Sequence, residues 1–301
     1  MCGTHADLID RDEVTYPPDL LRGMKRQYEA NCAERQRNAQ LAGEAVPDLI
    51  AIGPDIVFVG DFCGMEGGEW SFHIRHFIDG GIHVLIGYIE RFAQMSALDR
   101  YVLVNSLNDG RVLKGTPSLS REKSGGYTAW CPVFPSAARI PAADLPMDLA
   151  LSNDNDLMLA GGDIATVSGL AALPQVIKTR LSFHKGESPL HQDAGARLGE
   201  HYSVLSGSPW LERFFKLELI RLAAIPYIDK VLNRQYTPLQ CVKRVFEIKV
   251  LKYAPINGWL PVSVDLDVKG LGRWQHDLSI HVVPPPRRPS FDELLAGHPI
   301  Q

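Results

Sequence analysis

Residues 163–198 read DIATVSGLAALPQVIKTRLSFHKGESPLHQDAGARL, and the rest of the chain is arranged around them. Ile164 to Val167 alternate as a short strand, which Ser168-Gly169 stops. Leu170, Leu173, Val176, Ile177 and Leu181 then recur at the spacing of one buried helical face. Pro174 falls within the first turn or two, where its missing N–H costs least. Lys178, Arg180 and Lys185 sit at the C-terminal end, where positive charge suits the helix dipole. Gly186 is expected to end the helix, and Glu187-Ser188-Pro189 to open a loop that runs to Gly195. Local physics thus gives a strand, an amphipathic helix, a glycine stop and a polar loop.

The 301 residues are enough for two domains, and 45% hydrophobic with 22% charged residues is ordinary for a globular protein. A net charge of −4 and a pI near 6.2 offer no basis for binding nucleic acid or an anionic membrane. No apolar run approaches the roughly 20 residues that span a bilayer. The start, MCGTHADLIDRDEV, has neither the basic end nor the apolar core of a signal peptide. Cys2, Cys32, Cys63, Cys131 and Cys241 are scattered and odd in number, which fits reduced thiols better than a disulfide framework. The expectation is a protein made and assembled in the cytoplasm.

In chain order, residues 1–46 form an N-terminal arm. Asp19 to about Gly43 is helix-prone, with a narrow stripe of Leu20, Leu21, Met24, Tyr28 and Cys32. Such a helix either packs on its own domain or docks on a neighbouring subunit. Residues 47–140 read as all-β. Ile56 to Val59 is a strand, and Trp70, Phe72 and Ile74 alternate after Gly67-Gly68. Ile82, Val84, Ile86 and Tyr88 alternate back after Asp79-Gly80-Gly81. Tyr101–Val104 and Arg111–Leu113 flank Asn108-Asp109-Gly110, and Tyr127 to Val133 follows Gly125-Gly126. Five to seven short strands at this spacing suggest a small barrel or sandwich. Residues 135–147, with three prolines, read as a linker. Within 141–283, Pro209 to about Ile228 reads as a second helix, apolar most of the way round. Three strands follow. In the first, Val245, Glu247, Lys249 and Leu251 are read as facing away from Phe246, Ile248 and Val250; the others run over 259–268 and 278–282. Residues 284–301 form a Pro-rich tail.

Several chemistries are weighed and set aside. His73, His76 and His83 lie near Cys63, but alternation does not put all three histidines on one face, and no metal-ligand spacing appears, so no metal site is expected. Asn153 to Asp156 resembles half a calcium loop without its central Gly or final Glu. No G-x-S-x-G, G-K-[ST] or G-x-G-x-x-G is present, and Ser206-Gly207-Ser208 is a turn. Paired carboxylates are the remaining enzymatic option: Glu187 with Asp193 or Glu200 would suffice for a peptidoglycan hydrolase.

A strand followed by V-x-G-x-x-x-L-x-Q-x-I-x-x-x-L, then G-E-x-P and x-x-G-x-x-L, resembles the small baseplate wedge protein family of contractile phage tails. That family includes the baseplate assembly protein W type, the lysozyme-like wedge type and the type VI secretion counterpart. The matching residues are Val167, Gly169, Leu173, Gln175, Ile177, Leu181, Gly186, Glu187, Pro189, Gly195 and Leu198, and the likeness covers roughly residues 148–283. Ser188 stands where the family usually carries Arg, and Ala194 where it usually carries an aromatic. Arg197 or a partner chain would then supply the cation.

The resemblance implies an α+β fold: a C-terminal domain of two helices and a three-stranded antiparallel sheet, preceded here by an all-β domain and an N-terminal helix. It implies a virion structural protein, a wedge of the tail baseplate assembled in the host cytoplasm, with no catalytic role and no cofactor. A helix-and-loop bundle of Gln175, Arg180, Gly186, Glu187, Pro189, Gly195 and Arg197 would join larger wedge subunits. Strand exchange at Phe246, Ile248, Val250, Leu278, Ile280 and Val282 would template the tail sheath, with tube or hub proteins as further partners and neither nucleic acid nor membrane. Glu187 and Arg197 should then be buried and paired, since a lone buried charge costs several kcal/mol. A third reading, a stand-alone interaction module, makes 48–140 a ligand-binding barrel.

Overall fold

The computed structural model describes residues 48–283, apart from 123–124, 153–154, 189–192 and 230–233, together with Pro17 and Arg22. The helix expected over 19–43, except for Arg22, and the tail 284–301 lie outside the described residues. The chain divides into Met1–Pro47 and Asp48–Gln301, and every element below belongs to the second unit.

The run Asp48–Ile52 (β1) is an interior strand of a seven-stranded antiparallel sheet. All five residues are buried, because both faces of β1 are covered. Leu49 and Ala51 enter one core, Ile50 and Ile52 the other. On one side β1 pairs with Val57–Glu66 (β2), which turns into Glu69–Asp79 (β3) through Gly67 and Gly68. Both glycines have positive φ, as a two-residue hairpin turn of this hand requires. On the other side β1 pairs with Tyr101–Val104 (β4), which pairs with Asp109–Val112 (β5). Ser118–Arg121 (β6) and Tyr127–Pro132 (β7) extend the sheet beyond β3. The order is β5-β4-β1-β2-β3-β7-β6, and the sheet curls enough for Leu113 to bridge Val133.

Ile82–Glu90 is a helix (α1), not the returning strand of a hairpin. The stretch supports both periods. Ile82, Val84, Ile86 and Tyr88 alternate, yet Leu85 and Tyr88, buried, and the partly buried Ile82 and Ile89 form a helical face on the sheet. Helix wins because Leu85 and Ile89, the positions that alternation would turn to solvent, find apolar partners there.

Residues 135–147 do not form a free linker. Ile140 and Ala142 donate to the carbonyls of Gln240 and Lys269, and Ala142 and Leu145 enter the core. Four short strands follow, Asp148–Leu149 (β8), Leu159–Ala160 (β9), Asp163–Ile164 (β10) and Thr166–Val167 (β11). Then come the helices Gly169–Ser182 (α2), Leu198–Leu205 (α3) and Leu211–Ala224 (α4). After the pair Tyr227–Asp229 (β12) and Arg234–Tyr236 (β13), Val242–Val250 (β14), Trp259–Val268 (β15) and Gly272–His281 (β16) form an antiparallel meander.

The expected fold, a C-terminal domain of two helices and three strands behind an all-β domain, is therefore corrected. The helices are mid-chain, three of them between 169 and 224, and the C-terminal described part is sheet alone. The β region has its own helix. Nor are the sheets separate: α4 lies between β4–β5 on one side and β14 on the other. Leu49, Val59 and Leu103 share one core with Phe215, Ile220, Val262 and Leu266. Burial on both flanks is why α4 is apolar nearly all round.

The inward set of β14 also differs from strict alternation. Two bulges, between Val242 and Arg244 and between Val245 and Glu247, shift the parity. Val242, Val245, Ile248 and Val250 face the core, while Phe246 turns outward under the Arg273 guanidinium.

Phe215 is fully buried where the two sheets meet through α4. Phe215→Ala is expected to cost about 3–5 kcal/mol. Slow amides of β1 and β15 should become exchangeable at one denaturant concentration, measured by hydrogen exchange; two separate transitions would contradict the shared core.

Candidate functional site

The motif residues meet where α2 ends and the loop to α3 begins. Ala172, Leu173, Ile177 and Leu181 fix α2 against the core, while Leu170 stays half exposed. The helix stops at Ser182, four residues before Gly186, because the next residues are used otherwise. The Phe183 carbonyl accepts from Ala196 N–H, Lys185 N–H donates back to the Ala196 carbonyl, and His184 is buried. The His184 Nε2 lies 3.2 Å from His281 Nδ1 at the end of β16, and the Trp259 ring packs on His281. Burial pushes the His184 imidazole below its usual range, although Glu187 opposes this. Gly195, at φ +108, lies so close that a Cβ would fall 2.5 Å from the His184 carbonyl carbon.

What pins the loop is an ion pair inside α4. Arg221 grips Glu218 at 2.9 Å (Nε to Oε2) and 2.7 Å (Nη2 to Oε1), and both side chains are buried. The pair also reaches the loop. Arg221 Nη2 donates to the Gly195 carbonyl at 2.5 Å, and Arg197 N–H donates to Glu218 Oε1 at 2.8 Å. Burial alone would raise the Glu218 carboxyl. Arg221's charge and hydrogen bonds, with His201 and the Arg197 N–H, overcome that and hold it at about 2. Outward from the loop, the Arg197 guanidinium bonds Glu200 Oε2 at 2.7 Å and the Pro54 carbonyl at 2.5 Å. Lys185 adds a contact to Asp99 at 3.6 Å. Both cations tie the loop to segments flanking the seven-stranded sheet.

The expected bundle residues are thus only partly together. Gly186, Glu187, Gly195 and Arg197 share this loop. Arg180 is exposed beside a cavity of about 180 Å³ that Asp193, Arg221, Tyr227 and Tyr236 also line. Pro189 lies outside the described residues. Gln175 is elsewhere: its amide accepts from Leu151 N–H and donates to the Leu149 carbonyl, both at 2.8 Å. Glu187 and Arg197 do not form the expected buried pair. Glu187 is exposed, and its Oε2 accepts the His184 N–H at 2.9 Å, a local turn contact. The buried pair is Glu218–Arg221, three residues apart in L-E-L-I-R, on a helix whose other charges, Glu212, Arg213 and Lys216, lie in its first half and are only partly buried.

No protein-family model, curated protein or solved structure matches the chain. The likeness to the wedge family therefore rests on the motif residues.

Of the carboxylates weighed for catalysis, Glu187, Asp193 and Glu200 are all exposed; Glu200 accepts from the Arg197 guanidinium and Glu187 from the His184 N–H. Among the described residues no group of three His, Cys, Asp or Glu side chains is placed to hold a metal ion, and His73 instead contacts Glu122 at 3.0 Å. Asn153 and Asp154 lie outside the described residues. Burial pushes the thiols of Cys131 and Cys241 up, while Cys63 is exposed. Among the described residues no helix is long and apolar enough to cross a membrane.

At the strand-exchange positions, the side chains of Ile248, Val250, Ile280 and Val282 are buried, and those of Phe246 and Leu278 half-buried. The two edges of the meander differ. On β14, Val245 N–H donates to the Asn108 carbonyl and Val250 N–H to Glu212 Oε1, so its outer edge is engaged at two points, mid-strand and at its C-terminal end. On β16, His281 N–H turns away from β15 to Ser182 Oγ. By alternation, the N–H groups of Ser279, Asp277, Gln275 and Arg273 point the same way, and among the described residues no strand pairs with them.

Arg221→Met is expected to cost about 3–5 kcal/mol by stranding the Glu218 charge, and adding Glu218→Gln should recover part of that loss. Because the Glu218 pKa falls from 4.5 to about 2 on folding, its stabilisation is complete above pH 4.5 and lost as pH falls towards 2. Acid denaturation of Glu218→Gln should lack that part of the pH dependence.

Proposed function

We propose that this chain is a non-enzymatic structural subunit of a contractile-tail baseplate, where it meets the larger wedge subunits and starts the sheath. The observation that carries the reading is the outer edge of β16: a ten-residue strand without a neighbouring strand among the described residues, next to the motif-bearing loop. An unpaired edge is a template for strand addition. The outer edge of β14 is already engaged at two points, so the reading assigns strand exchange to β16, with Leu278, Ile280 and Val282 fixing its register on the core. The loop from Gly186 to Arg197 supports the second contact. It is held on a rigid helix by the Glu218–Arg221 pair while Glu187 and Arg180 remain exposed to a partner. In this reading the protein sits in the virion tail, assembled in the host cytoplasm, with the sheath and other wedge proteins as partners.

Asp277→Pro tests it. Proline removes one outward N–H on an edge strand, where it is best tolerated, so the variant should melt within a few degrees of the parent. Particles carrying it should contain baseplates without sheath, as seen by electron microscopy, and immunogold against the chain should label the end plate. Normal sheaths on Asp277→Pro baseplates would reject strand templating. Label elsewhere, or clearing of a peptidoglycan suspension by the purified chain, would reject the baseplate reading itself.

A further inference from the structure

The described residues of 147–168, which exclude 153–154, form a β-arm that neither core absorbs. Strand β8 pairs with β11 and β9 with β10, Leu151 bridges Leu157, and Ala150, Met158 and Ala165 exchange backbone hydrogen bonds. The arm is fastened to α2 by the two Gln175 amide bonds. It is ordered by its backbone, yet several of its apolar side chains stand in water. Leu159 is 71% exposed, with Ile164 directly opposite it at 51% and Leu157 at 52%, and Met147, Leu149 and Met158 are exposed as well. Single exposed apolar residues are ordinary, but six on one small element, with Leu159 facing Ile164 across the β9–β10 pair, mark a contact surface.

Charge decides what fits there. Between Arg139 and Lys178 the sequence holds five aspartates and no Lys, Arg or His. Asp148, Asp156 and Asp163 are exposed on the arm itself. Two arms laid together would oppose two such sets of carboxylates, so a second copy is a poor occupant, and phosphate-bearing lipids or nucleic acids are repelled. We propose that the arm docks a protein segment whose apolar face is bordered by Lys and Arg, with the Leu159–Ile164 and Leu151–Leu157 pairs taking the apolar face and the aspartates the cations. This stands apart from the baseplate reading: the arm needs such a partner whether or not β16 templates a sheath.

The test uses the full chain and a fluorescein-labelled 18-residue amphipathic Leu/Lys peptide, with a Leu/Glu peptide of the same pattern as its control. Anisotropy titrations should show the Leu/Lys peptide binding and the Leu/Glu peptide not. Affinity should fall at least tenfold in the Leu157→Ser, Leu159→Ser, Ile164→Ser triple variant, and similarly in Asp148→Asn, Asp156→Asn, Asp163→Asn. Val204→Ser, which removes an exposed apolar residue on α3, should bind as the parent does. Unchanged binding by either triple variant would overturn the proposal, as would equal binding of the two peptides. So would arm-dependent dimers in sedimentation, or arm-dependent binding to phosphatidylserine vesicles. Melting curves for each variant keep a folding defect from passing as a binding one.

Discussion

Everything between the two sheets depends on a charge pair that apolar packing alone would not place. Glu218 and Arg221 lie one helical turn apart on α4, buried, and desolvating them is tolerable only because each is fully engaged. Their partners beyond each other are backbone groups of the loop, the Gly195 carbonyl and the Arg197 N–H. The pair therefore fixes the loop's register against α4. Once Arg197 is placed, its side chain reaches Pro54 and Glu200, so one buried interaction sets the position of a loop, a helix and a sheet corner. Glycine at 195 belongs to the same arrangement, because any side chain there would collide with His184.

Around this centre the described segments beside the candidate contacts are held by hydrogen bonds to the core. The 135–147 segment, rich in proline, is bound across the end of the meander by Ile140, Ala142 and Arg139, so the chain passes from one sheet to the other without slack. On the outer face of the meander Arg273 and Gln275 converge on Asp265, and Arg273's hydrogen bonds hold that carboxyl below its usual range. Cross-strand pairing of this kind stiffens β16 without covering its edge.

Much of this was legible in the sequence where one period dominated. The strands at Trp70–Ile74 and Trp259–Val268, the helix at 170–181 and the all-round apolar helix near 211–224 announce themselves through alternation or helical spacing. Reading failed where two signals competed or where the cause was remote. Ile82–Glu90 satisfies both periods, and only the apolar surface beneath Leu85 and Ile89 selects the helix. The short run Leu49 to Ile52 does not alternate, because both faces are buried, and a period-2 pattern therefore does not announce it as an interior strand. Bulges at β14 exchanged the faces of Val245 and Phe246, which no period-2 count anticipates. At the site, the exposed Glu187 drew attention through its motif. The two charges in L-E-L-I-R lie among apolar neighbours, in the half of α4 that holds no other charge, and that is a readable sign of a buried pair.

The sharing of α4 by both sheets has a consequence for how the chain is made. Leu49 and Ala51 lie on a sheet face that α4 covers, but α4 begins at Leu211, 211 − 49 = 162 residues later. At ribosomal speeds of roughly 5–20 residues per second, that face waits on the order of 10–30 s for its cover. During that interval the nascent sheet presents an apolar surface and unpaired edges to its surroundings. The amount of protein a cell recovers is then governed by synthesis rate, temperature and chaperone supply, quantities that the finished molecule, with both faces closed, no longer senses.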